Sequence, residues 1–257
     1  MASEPANKRR EIISQSSSFK AYIDALLPVG KVRKLLDVLV EQCDVYVFGG
    51  VIRNFLLGYP FFRDIDLVVY AKDRITLPIE LLHGINITRN KFGGVKLSLP
   101  HITIDVWGLE STWGLLQTKG KATPYSLIRT VFFNFSAIVF DYKRQHFIYS
   151  DDFLQFYDSK TIDLVYGRNP YPTACVVNTC YYAQEYNFSI GKKLRTWISR
   201  QTLGDDVETQ QVRRYGEVKF KEPIVNAFVE VCKIVKKPNT SVCIYDSDKQ
   251  KYIFKFE

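Results

Sequence analysis

Between Val45 and Tyr70 the chain reads VYVFGGVIRNFLLGYPFFRDIDLVVY, and no other stretch constrains the fold as much. The run ending at Phe48 reads as a strand, VIRNFLLG as a short helix stopped by Gly58, and RDIDLVVY as a second strand. Successive side chains on a strand point to opposite faces. Asp64, Asp66, Val68 and Tyr70 therefore share one face, and Ile65, Leu67 and Val69 the other. HITIDVW repeats the pattern, with Thr103, Asp105 and Trp107 on one face and Ile102, Ile104 and Val106 on the other. Each strand offers an aliphatic face to a core and a face that presents carboxylate. As neighbours in one sheet, the two strands would bring Asp64, Asp66 and Asp105 together.

Clustered carboxylates repel one another unless cations sit among them. Hard divalent ions with oxygen ligands, magnesium above all and manganese as a substitute, suit such a set. Two ions roughly 3.5–4 Å apart can activate a hydroxyl and stabilise a leaving phosphate oxygen. That is the chemistry of phosphoryl or nucleotidyl transfer. Gly49-Gly50 lies between strand and helix, where backbone can approach a ligand closely and a Cβ at Gly50 would intrude. The N–H groups of the following helix would make an anion site, with Arg53 one turn in and facing the same phosphates. Taken singly, Asp-x-Asp also fits a solvated strand end, and Gly-Gly with Arg53 a plain strand-to-helix turn.

The rest of the chain reads as α+β. KVRKLLDVLVEQC sets Val32, Leu35, Leu36, Leu39 and Val40 at helical spacing. KFGGVKLSL and HITIDVWGL read as a hairpin around Pro100 and His101, and IRTVFFNFSAIVFDY as a central buried strand. Helical periodicity takes over beyond Tyr157, and TSVCIYDSDKQKYIFKFE closes as a β-hairpin. The expected layout is a flexible arm over residues 1–25, a catalytic head over 26–157 with a mixed sheet flanked by helices, and a mainly helical part over 158–257. No window is apolar enough for a membrane span, and the polar start lacks a secretory signal, so a cytoplasmic protein is expected. Five cysteines without a CxxC pair read as buried thiols. A net charge of +8 favours a polyanionic partner.

Gly49-Gly50-Val51-Ile52-Arg53-Asn54-Phe55-Leu56-Leu57-Gly58 followed by Asp64-Ile65-Asp66-Leu67 resembles the head domain of CCA-adding tRNA nucleotidyltransferases and bacterial poly(A) polymerases. These belong to the DNA polymerase β-like nucleotidyltransferase superfamily, whose pattern is GGxVRDxLLG, a spacer and DIDL. Asn54 stands where the family usually has Asp. KFGGVKL resembles its FGTV strand, and RTVFFN, with Arg129 and Asn134, its RDFTIN segment. NPYPTACVVNTCYYAQEYNFSI is similar to its neck-helix entry, with Pro172 and Cys175 in place of two arginines.

The resemblance implies that Gly49, Gly50, Arg53, Arg129 and Asn134 bind a nucleoside triphosphate, ATP or CTP. It implies that Asp64, Asp66 and Asp105 are catalytic and hold two magnesium ions. The implied activity is transfer of a nucleotide to an RNA or tRNA 3′ end, a toxin or defence factor being one setting for it. Transfer to a protein or small molecule, and a nucleotide- or RNA-binding module with weakened catalysis, remain as alternatives. The basic run with Arg213, Arg214, Lys219 and Lys221 reads either as an RNA contact or as a solvated helix face.

Overall fold

The computed structural model describes every residue except 1–3, 28–29, 61–63, 74, 77, 91–92, 100 and 205. Residues 1–131 and 135–157 form one compact unit, and residues 132–134 and 158–257 a second. Helices and mixed sheets together make it an α+β protein.

The first unit begins with α1 (Glu4–Ser14), α2 (Ser16–Leu26) and α3 (Lys31–Gln42). It continues with β1 (Asp44–Phe48), α4 (Gly50–Leu56), β2 (Asp64–Tyr70), α5 (Ile79–Leu82), β3 (Asn86–Arg89), β4 (Val95–Ser98) and β5 (Thr103–Gly108). Then come α6 (Trp113–Thr118), α7 (Pro124–Arg129), β6 (Ile138–Asp141), β7 (His146–Tyr149) and α8 (Asp151–Ser159). Among the described residues its strands form one sheet in the order β3-β4-β5-β2-β1-β6-β7. Among the described residues of this sheet, β2 and β5 run parallel and the other neighbours antiparallel.

The alternation in the sequence explains how this sheet is held. Ile65 is fully buried and Leu67 and Ile104 nearly so. Leu35, Leu36 and Leu39 of α3 meet Leu67, Leu97, Ile104 and Val106 around one small apolar gap. Full burial of such a side chain contributes roughly 1.5–3 kcal/mol, so the aliphatic face anchors the sheet and leaves the opposite face for Asp66 and Asp105.

Residues 1–3 of the expected flexible arm lie outside the described residues, and its remainder is instead helical and packed. Ile12, Phe19 and Ile23 have no exposed surface, and Phe19 packs edge-on against Phe55 and Phe140. Arg9 Nη2 lies 2.7 Å from Asp151 Oδ1, and the Tyr157 hydroxyl donates to Glu11 Oε1 at 2.7 Å. The expected central strand from Ile128 is also shorter than its apolar run. Thr123 caps α7 by accepting from Ser126 N at 3.0 Å, with Pro124 in the first turn, so Ile128 and Arg129 end a helix. Strand pairing begins only at Ile138. The antiparallel β4–β5 pair matches the expected hairpin, though Lys91, Phe92 and Pro100 lie outside the described residues.

The second unit holds β8 (Thr161–Ile162), α9 (Pro172–Glu185), β9 (Ser189–Ile190), α10 (Lys192–Ile198), α11 (Val207–Tyr215), α12 (Glu222–Ile234), β10 (Thr240–Tyr245) and β11 (Lys251–Phe256). The closing hairpin β10–β11 joins β9 and β8 in a small sheet. Phe228 of α12 packs on Phe254 with ring centroids 4.4 Å apart. Gln211 is fully buried, donating to Phe220 O at 2.7 Å and accepting from Phe220 N at 2.8 Å.

Candidate active site

The site is built on the parallel β2–β5 pair. Asp66 is the register partner of Asp105, and Asp64 that of Thr103. Partners across a ladder share a face and start about 4.8 Å apart at the backbone, whereas residues two apart on one strand start about 6.6 Å apart. Asp66 and Asp105 are therefore the close pair, and Asp64 is their neighbour along β2. Among the described residues, no group of three or more His, Cys, Asp or Glu side chains is placed to hold a metal ion. The expected convergence of all three carboxylates is thus realised as a pair with Asp64 one step away.

That pair still suits magnesium. This ion keeps much of its water and is commonly held by one or two carboxylates plus substrate phosphates, not by an all-protein cage. Asp66 and Asp105, partly buried on adjacent strands, are the residues that could hold such an ion.

The Gly-Gly turn touches the pair directly. Gly49 has φ 82° and ψ −147°, a conformation essentially confined to glycine. A Cβ there would collide with Asp66 Oδ2. The turn backbone and the carboxylate are fitted to each other, and the first glycine makes the fit. Gly50 differs from expectation: its φ is not positive, and the nearest atom to an added Cβ is Arg53 Nη2 at 3.5 Å, an ordinary contact. With only seven residues in α4, close backbone approach carries the phosphate argument better than a helix dipole.

Arg53 is 4% exposed, its guanidinium carbon 4.8 Å from the centre of the Phe135 ring. Its Nε donates to Asn54 Oδ1 at 2.9 Å. This buried setting differs from the open phosphate ligand expected, and Asn54 supports the guanidinium with a neutral acceptor. Arg129 is exposed at the end of α7. Asn134 belongs to the second unit, where its amide donates to Thr161 O and accepts from Asp163 N, both at 2.9 Å. There it pins backbone.

Sequence reasoning gave no role to three neighbours. Phe48 is the register partner of Asp66. Its ring meets that of Trp107 edge-on at 6.0 Å, and Trp107 Nε1 donates to Thr112 Oγ1 at 3.0 Å. Lys96 is the register partner of Asp105 on the other side.

No family model and no curated protein matches the sequence. Solved structures do. A CCA-adding enzyme in complex with CTP superposes with a TM-score of 0.57 at 16% identity, over 84% of this chain and 55% of that one. The chain shares the fold of the matched part of that enzyme. A tRNA-processing enzyme with CTP gives a TM-score of 0.52 at 18% identity, over 80% of this chain and 57% of the other. The Thermotoga maritima CCA-adding enzyme complexed with tRNA gives 0.50 at 17% identity, over 77% and 54%. The chain thus spans little more than half the length of these enzymes. Among the described residues, no helix is long and apolar enough to cross a membrane.

Proposed function

We propose that the protein is a metal-dependent nucleotidyltransferase that moves a nucleotide from ATP or CTP to the 3′ end of an RNA, tRNA being the first candidate. The observation that carries this reading is the Asp66–Asp105 pair with the Gly49 turn fitted against Asp66. The fold shared with enzymes solved with CTP, ATP and tRNA supports it.

In this reading Asp66 and Asp105 hold the divalent cation, and Asp64 takes part as the adjacent carboxylate on β2. The bound cation would neutralise charge on the phosphates and favour the ionised form of the acceptor hydroxyl. The glycine turn lets the triphosphate approach the backbone beside Asp66, so the reacting phosphorus is positioned against the pair. Catalysis then rests on positioning and charge neutralisation, with no covalent enzyme intermediate. Arg129, exposed at the end of α7, is the open cation available to a phosphate on that segment.

The test is incubation with NTPs labelled at the α-phosphate, magnesium and either total RNA or cell lysate. Label on RNA supports the reading. Label on protein or a small molecule replaces the acceptor and keeps the chemistry. No transfer, with retained nucleotide binding, replaces it with a binding module.

A further inference from the structure

β4 brings an ammonium group to the carboxylate pair. Lys96 is the direct cross-strand partner of Asp105, and its Nζ lies 3.4 Å from Asp105 Oδ2. Lys96, Asp105, Asp66 and Phe48 follow one another in register across four adjacent strands. Cross-strand partners share a face, so Lys96 flanks Asp105 on the side away from Asp66.

The Lys96 side chain is 46% exposed and that of Asp105 20%. An ion pair this open contributes little to folding. Its consequence is local. A carboxylate oxygen engaged by an ammonium is a poorer ligand for a second cation, and the ammonium's charge also opposes a divalent ion a few ångströms away.

We propose that Lys96 is a built-in competitor for the divalent cation at Asp105. The ammonium orients the carboxylate while the metal is elsewhere, and it must leave Oδ2 before the metal can take that oxygen. Lys96 thereby raises the metal concentration at which the pair loads. This inference rests on reading Asp66 and Asp105 as cation ligands.

The probe is Mn2+ alone, titrated into the full chain and followed by the electron paramagnetic resonance signal of free Mn2+. Wild type, Lys96→Met and Lys96→Arg are compared, each with and without Asp105→Asn. Lys96→Met is expected to bind Mn2+ on the order of tenfold more tightly than wild type. Lys96→Arg, which keeps the charge, should bind like wild type, and a melting curve like that of wild type certifies each variant as folded. The gain should vanish when Asp105 is Asn. Unchanged or weaker binding by Lys96→Met, or a gain that survives Asp105→Asn, overturns the competition while leaving the metal reading intact. Mn2+ binding by neither wild type nor Lys96→Met overturns both.

Discussion

Asp66 lies directly opposite Asp105 in the parallel β2–β5 ladder. Like charges on one face repel unless a cation sits among them, and Lys96 Nζ already lies 3.4 Å from Asp105 Oδ2. Asp66→Asn or Asp105→Asn should lower nucleotidyl transfer on the order of 100-fold or more, while the melting temperature in EDTA stays level or rises. The two variants should differ in binding. Asp105 lies a strand away from the glycine turn, so Asp105→Asn should keep most of its affinity for NTP–magnesium. Equal losses of affinity and rate in that variant would count against this division of roles.

The glycine turn separates two substitutions that look alike in sequence. Gly49→Ala forces a Cβ into Asp66 Oδ2 and into a backbone region closed to alanine. It should cost about 1–3 kcal/mol in chemical denaturation and lower transfer as well. Gly50→Ala meets only an ordinary contact and should stay within about 1 kcal/mol of wild type. Equal destabilisation by both would show that the turn has a different geometry.

What could be read from the sequence follows from local periodicity. Alternation in DIDLVVY and HITIDVW put Ile65, Leu67, Ile102 and Ile104 on the buried face and Asp64, Asp66 and Asp105 on the other, although Val68 on the carboxylate face is fully buried too. IRTVFFNFSAIVFDY is apolar throughout, so periodicity could not separate a buried coil from a strand. Phe132 O accepts from Val165 N, and Asn134 N donates to Asp163 O, a pairing set by distant residues. The N-terminal helices were hidden for a similar reason. Ile12, Phe19 and Ile23 are sparse among polar residues, and only packing shows that they share a buried side. Lys96 could be placed on a strand, but its partner depends on β4–β5 register, which one residue of slip would change.

Acid stability should depend on Asp24, which ties α2 to α3 and to Tyr142 after β6. Lys20 Nζ lies 2.6 Å from its Oδ2, Arg33 Nη1 3.2 Å from its Oδ1, and the Tyr142 hydroxyl also donates to it. Burial pushes the carboxyl pKa up, but hydrogen bonds from Lys20 and Tyr142 and the charges of Lys20 and Arg33 bring it below its ordinary value. A depressed folded pKa stabilises fully above the unfolded value near 4 and loses that stability as pH falls through the folded one. Asp24→Asn should therefore melt about 2–4 °C lower than wild type at pH 7. The gap should close below pH 4, and a gap that widens in acid would contradict the sign.

Thiol chemistry tests the packing of both units. Cys43, Cys175, Cys180 and Cys232 are buried, and Cys243 is exposed. Burial raises the Cys43 thiol to about 11 and those of Cys175 and Cys232 to about 12. The native protein should take up a single equivalent of iodoacetamide at pH 8, and all five thiols should react once it is denatured. Cys243→Ser should abolish the native labelling. Rapid native modification at Cys180, which has no exposed surface, would show that the second unit opens.

The acceptor can be tested through salt. Arg213 is exposed in the last turn of α11, whereas Arg214 beside it is hydrogen-bonded to Tyr182 and Tyr215. The neighbouring lysines already have partners: Lys219 Nζ is 2.6 Å from Glu217 and Lys221 Nζ 2.7 Å from Asp248. If RNA docks on this run, Arg213 should carry more of the contact than the lysines. Phosphate contacts release counterions, so affinity for single-stranded RNA should fall with salt at a log–log slope of roughly −0.7 per contact. Arg213→Glu should weaken binding by fluorescence anisotropy and make that slope shallower by about 0.7. Nucleotide affinity should be unchanged, because the glycine turn and carboxylate pair belong to the other compact unit. A protein or small-molecule acceptor predicts no salt-dependent RNA affinity in wild type. Absence of such binding across RNA pools would remove RNA as the acceptor while leaving the transfer chemistry of Asp66 and Asp105 to be tested on other hydroxyls.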